Sequence, residues 1–159
     1  MIIFFDIWGI VHVDWVPEVQ NINQVYYKEV LTNLRERMRW RRPEMWKNGS
    51  WVLHQDNVLA HNSLSVKMFL TKHKITMLEH PPYSPDLASC DFFLFPKIKC
   101  VLKGTRFESV GAVKAKVIEV MNKLPEDDLQ HCFQQWKIHM EQCRDQGGEF
   151  TESDNISIV

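Results

Sequence analysis

The stretch from Trp51 to Phe95 constrains the fold more than any other part of the chain. It opens on an apolar run, Trp51 to Gln55, that ends at Asp56-Asn57; an amphipathic segment follows from Ser63 to Lys74, then a second apolar run from Ile75 to Leu78. Strand-length runs on either side of a helix-length segment predict a strand, a crossover helix and a second, parallel strand. Pro81, Pro82 and Pro85 then hold an extended turn, because the residue before a proline is pushed away from helix. Asp91 follows, at the start of a helical segment from Phe92 to Leu102. Asp56 at a strand end and Asp91 after the turn are expected near one sheet edge, and two converging carboxylates suit a hard divalent cation. Each also has a plainer reading. Asp56 can cap the next turn through a backbone N–H, and Asp91 can complement a helix dipole without metal. His54 and His61 flank Asp56 and read first as hydrogen-bonded structure.

Upstream, Ile2 to Ile7 and Ile10 to Val16 are two β-rich runs separated by Trp8-Gly9, the pattern of a tight hairpin. Asn21 to Asn23 then starts a helix over Val25 to Met38, with Val30, Leu31, Leu34 and Met38 spaced as an inward stripe. The end of that helix is basic: Arg35, Arg37, Arg39, Arg41 and Arg42 surround Trp40 before Pro43. Cations beside a ring able to stack point to a nucleic-acid contact; the alternative is a solvated helix end whose cations favour the dipole. Lys47 to Ser50 reads as a turn.

Downstream of Gly104, Val110 to Leu124 and Leu129 to Cys143 carry helical stripes, the second opened by Asp127-Asp128 and stopped by Gly147-Gly148. Glu149 to Val159 reads as a loose tail. A chain of 159 residues, 45% apolar and 25% charged, suits one domain. Its net charge of −1 and pI near 6.6 give no global footprint for nucleic acid, so any such binding must come from a local patch. Four cysteines at irregular spacing read as reduced intracellular thiols, and His131, Cys132, His139 and Cys143 lack the paired spacing of a zinc module. The apolar run before Asp6 is too short for a signal peptide or a membrane span, so no membrane insertion is expected.

Further motifs carry a resemblance. His54-Gln55-Asp56-Asn57 with His61, then Tyr83-Ser84-Pro85-Asp86-Leu87-Ala88 and Cys90-Asp91-Phe92, resemble the catalytic domain of mariner-type transposases. The interval from Asp56 to Asp91 is the one that the mariner pattern has between its second and third catalytic aspartates. Gly9-Ile10-Val11-His12, Tyr26-Tyr27, Arg42-Pro43, Gly104 with Arg106-Phe107, and Cys143 near Gln146-Gly147 extend the likeness to about Phe150.

The resemblance implies an α/β fold with a ribonuclease H-like mixed sheet and flanking helices over residues 1–150, with 151–159 as the tail. It implies DNA cut-and-paste chemistry by three aspartates holding Mg²⁺, with Mn²⁺ as a substitute, and assigns Asp56 and Asp91 as catalytic metal ligands. Phe4-Phe5-Asp6 and Gly9 to His12 resemble the family's second and third strands. The sheet is therefore expected to lack its first strand, and the site its first aspartate; Asp6 sits at a strand end but is not expected to replace it. Val58, Leu59 and Ser89 also depart from the family pattern, and the family's helix-turn-helix modules are not expected within these 159 residues. The expectation is a transposase-derived remnant that does not cleave, binds DNA weakly and without sequence preference, takes no small-molecule substrate, is able to form a homodimer and resides in the nucleus or elsewhere inside the cell. The competing expectation is a non-catalytic module that binds nucleic acid or a protein partner.

Overall fold

The computed structural model describes residues 1–55, 63–78, 90–145 and 157–158, the backbone alone for 90, 91, 143–145, 157 and 158. Two compact units emerge. The first comprises Met1–Asp6, Ile10–Pro82 and Ser153–Val159; the second comprises Ile7–Gly9 and Tyr83–Glu152.

In the first unit, β1 (Ile2–Asp6) pairs with β2 (Gly9–Asp14) as a two-stranded sheet. The connecting turn is Ile7-Trp8, one residue earlier than the sequence predicts, and Gly9 opens β2 at φ 126°, a conformation that side chains resist. In β2 only Val11 is buried, between half-buried neighbours, whereas β1 is buried from Ile3 through Asp6.

Helix α1 (Gln24–Arg41) begins where Asn23 accepts the Tyr26 N–H at 2.9 Å, and its inward stripe is Tyr27, Val30, Leu31, Leu34 and Met38. It runs past Met38 through its basic last turn to Arg41 and stops before Pro43, as the sequence predicts. The residue before a proline avoids helical angles, so Arg42 leaves the helix at φ −133°, ψ 61°, and Pro43 becomes the first residue of a short new helix, α2 (Pro43–Asn48). Gly49, in the left-handed region at φ 60°, caps α2 where the sequence suggests only a turn.

The β-helix-β unit forms as predicted, with slightly shorter elements. Strand β3 (Trp51–His54) leads to α3 (Leu64–Lys72), capped by Ser63, and α3 leads to β4 (Thr76–Leu78), parallel to β3 in the register Val52↔Thr76, Leu53↔Met77, His54↔Leu78. Lys74 takes φ 55° to end α3, while the Ile75 N–H closes onto the Leu70 carbonyl at 2.8 Å. Phe4, Val11, the α1 stripe, Trp51, Leu53, Val66, Leu70 and Ile75 form one apolar core, each large aliphatic side chain stabilising the unit by about 1.5–3 kcal/mol.

The sheets differ from expectation in two respects. Among the described residues the strands form two sheets, β1-β2 and a parallel set in the order β4-β3-β5, in place of one mixed sheet. The stretch expected as a loose tail contributes β5 (Ser157–Ile158), which pairs with Trp51 and Val52, because β3 presents ladder groups on both sides and β4 occupies one.

The second unit is helical. The helix expected from Phe92 begins instead as a π-helical turn over Cys90–Leu94, followed by α4 (Phe95–Leu102). Pro96 accounts for this: it has no N–H for the Phe92 carbonyl, and the wider turn relieves the clash. Helix α5 (Val110–Asn122), capped by Ser109, packs on α4 and buries Val117 and Met121. Helix α6 (Glu126–Asp145) buries Leu129, Cys132, Trp136 and Met140. Among the described residues no helix is long and apolar enough to cross a membrane.

Candidate functional site

The basic end of α1 sorts into committed and uncommitted cations. Because Pro43 turns Arg42 out of the helix, its guanidinium reaches Asp6 at the end of β1, with Nε donating to Oδ2 at 2.8 Å and Nη2 to Oδ1 at 2.9 Å. The Asp6 side chain is 0% exposed and that of Arg42 16%, so this is a buried two-point pair. Arg41 donates to the Ile10 carbonyl at 2.9 Å, and Arg35 lies over the Trp46 ring at 5.3 Å from its centroid. Arg37 and Arg39 are exposed, and Trp40 between Arg39 and Arg41 is 77% exposed.

The same flank of α1 meets the hairpin. Tyr26 donates its hydroxyl to Asp14 at 2.6 Å, a bond that pushes the phenol up to about 12. His12, half-buried beside the Phe4 ring, stands 3.8 Å from Asp14. Burial holds the His12 imidazole below its usual range; Asp14 pulls the other way, and the fields of Arg37 and Arg41 add to the depression. Its Nε2 is buried and has no hydrogen-bond partner among the described residues.

At the end of β3, Tyr27 donates to Gln55 Oε1 at 2.6 Å and Gln55 Nε2 reaches Met77 Sδ at 3.1 Å. This buried set ties α1, β3 and β4 together one residue before Asp56. Asp56 itself lies outside the described residues, with His61; Asp91 is the second residue of the π-helical turn and is described by its backbone. Among the described residues no group of three His, Cys, Asp or Glu side chains could hold a metal ion. Of the histidines and cysteines in α6, Cys132 is buried, its thiol pushed up to about 12 by burial, and His139 meets the edge of Phe92.

The Arg42–Asp6 pair was hidden in the sequence among five arginines. Its signal was Asp6 itself, a carboxylate ending an apolar strand, which needs a cation when buried.

No protein-family model matches the chain. The Mariner Mos1 transposase of Drosophila mauritiana is 30% identical over 113 residues, covering 70% of this chain and 33% of that protein. The Tcb1 transposase of Caenorhabditis briggsae is 26% identical over 107 residues, covering 67% and 37% respectively. The chain thus spans about a third of the length of these curated relatives. The solved catalytic domain of Mos1 transposase, with raltegravir and Mg, superposes on 94% of this chain and 75% of its own, at a TM-score of 0.84 and 25% identity. The chain is a homologue of the mariner transposase catalytic domain. The Mos1 paired-end complex with Mn matches the same 94% of this mariner homologue at a TM-score of 0.83 and 26% identity. Its mixed α/β architecture is therefore that of the ribonuclease H-like Mos1 domain.

Proposed function

We propose that this mariner homologue is a transposase-derived, DNA-handling scaffold that by itself does not cut DNA. The observation that carries this reading is the likeness to the Mos1 catalytic domain over 94% of the chain, combined with the mariner interval between Asp56 and Asp91. Mos1 structures contain Mg or Mn, and others are paired-end complexes. By that likeness Asp56 and Asp91 supply carboxylates to Mg²⁺ or Mn²⁺, and the uncommitted cations of α1 meet DNA phosphates without reading sequence. Held by those carboxylates, a divalent metal would supply activation of an attacking oxygen and charge neutralisation of a leaving one. A role on DNA implies a nuclear address.

The inactivity rests on Asp6. Of the carboxylates before Asp56, Asp6 stands at a buried strand end, and both its oxygens are held by Arg42. A carboxylate in that state does not fit a metal site, since a dication would have to displace the guanidinium. Asp14 is engaged differently, one oxygen accepting the Tyr26 hydroxyl.

The test is nicking of labelled duplex DNA by the 159-residue chain, in Mg²⁺ and in Mn²⁺, beside an Asp56→Ala, Asp91→Ala control. No cleavage above the control is expected. Cleavage that the double substitution abolishes would overturn the inactivity and show that a further ligand completes the site.

A further inference from the structure

Trp40 lies outside the buried stripe of α1. Tyr27, Leu31, Leu34 and Met38 are at most 1% exposed, whereas Trp40 is 77% exposed in the last turn, between Arg39 and Arg41 and three residues after Arg37. An indole so placed contributes nothing to the core, and a helix end needs no ring to complement its dipole.

The cations around it are arranged by the fold. Arg41 spends one of its N–H groups on the Ile10 carbonyl, which holds its guanidinium at the hairpin side of α1. Arg37 precedes Arg41 by four residues, so the two lie one turn apart on the same face of α1. Arg37 and Arg39 make no ion pair among the described residues, in contrast to Arg42, which Asp6 neutralises. Glu36, exposed one turn before Trp40, is the acidic neighbour that limits the strip.

We propose that Trp40, with Arg37, Arg39 and Arg41, is a stacking platform for a single-stranded polynucleotide. This rests on the nucleic-acid reading above and narrows it to unpaired strands. Bases in a duplex keep their faces stacked on one another, so an exposed indole has nothing to grip there; an unpaired base offers its face to the ring and its phosphate to the flanking guanidiniums. The charge is complementary locally, although the chain as a whole carries −1. Stacking tolerates any base, so the platform selects strandedness and not sequence.

The experiment is fluorescence anisotropy with the whole chain and three labelled probes of ~12 nucleotides, an oligothymidylate, an oligouridylate and a DNA duplex. At least one single strand is expected to bind roughly tenfold tighter than the duplex, and the tighter of the two distinguishes DNA from RNA as the source. Trp40→Ala should weaken single-strand binding roughly tenfold and leave the duplex unchanged, while Trp40→Phe retains most of it. Arg37→Ala with Arg39→Ala should weaken all probes and flatten the salt dependence by roughly one unit of slope per arginine. Circular dichroism of the variants checks that these exposed substitutions leave the fold intact. If the duplex binds as tightly as the tighter of the two strands, or Trp40→Ala changes nothing while the arginine variant weakens every probe, the platform is refuted and the DNA-handling reading survives. Absence of binding to all three probes refutes both.

Discussion

Arg42→Met is the substitution that tests the architecture most directly. Methionine keeps the apolar stem of the arginine and removes two charge-assisted hydrogen bonds, at 2.8 and 2.9 Å, from a carboxylate that is 0% exposed. Breaking a buried pair by deleting one partner costs about 3–5 kcal/mol, because the remaining charge stays buried without its counter-ion. That is a large share of the roughly 5–15 kcal/mol by which domains are stable. With a urea slope of about 2 kcal/mol/M, the unfolding midpoint should fall by roughly 2 M. Asp6→Asn removes the charge from the other side, and the Asp6→Asn, Arg42→Met double variant should lose less than the sum of the singles by about 1–3 kcal/mol. Equilibrium urea unfolding followed by circular dichroism measures all four corners of the cycle. A cost for Arg42→Met below about 1 kcal/mol, the range of a surface ion pair, or strict additivity in the cycle, would refute the buried clasp. It would also return Asp6 to consideration as a metal ligand.

Two further outcomes follow from titratable groups. Because the folded state holds the His12 imidazole below its ordinary value of 6.5, the unfolded chain takes up this proton first as pH falls. The His12 contribution to stability is thus complete above pH 6.5 and is lost as pH drops through the depressed folded value; His12→Gln should flatten that part of the pH–stability curve, and parallel curves would show that His12 is not the group responsible. Thiol chemistry should separate the two cysteines whose side chains are described: Cys100 is exposed, whereas Cys132 is buried with its thiol pushed up to about 12. Mass-resolved alkylation of the native chain is expected to label Cys100 well before Cys132, and labelling at equal rates would contradict the packing of α6.

The likeness to mariner transposases and the β3-α3-β4 unit were legible because each depends on local spacing. An apolar strand ending at His54-Gln55-Asp56, a helix capped by Ser63 and a second strand ending at Leu78 follow from residue type and period. Helix α1 was legible for the same reason, through the stripe from Val30 to Met38. Helix α2 was not, because Pro43 stops one helix and starts another, and the sequence shows only the stop. The π-helical turn escaped likewise: the cause, Pro96, stands six residues beyond the start of its effect at Cys90. Pairing of β5 with β3 joins residues about a hundred positions apart, and no periodicity reports a contact of that range.

What the sequence determined by itself was chemistry that needs no partner: which segments bury a face, where helices start, and the interval that makes Asp56 and Asp91 resemble a mariner pair. What only the tertiary structure decided was how the charges at the end of α1 are spent. Arg35, Arg37, Arg39, Arg41 and Arg42 read alike in the sequence; folding assigns Arg42 to Asp6, Arg41 to a strand carbonyl and Arg35 to the Trp46 ring, and leaves Arg37, Arg39 and Trp40 toward water. The physical reason is that a buried carboxylate must find a cation, and the candidate that reaches it is selected by the backbone angle Pro43 imposes on Arg42, 36 residues along the chain from Asp6.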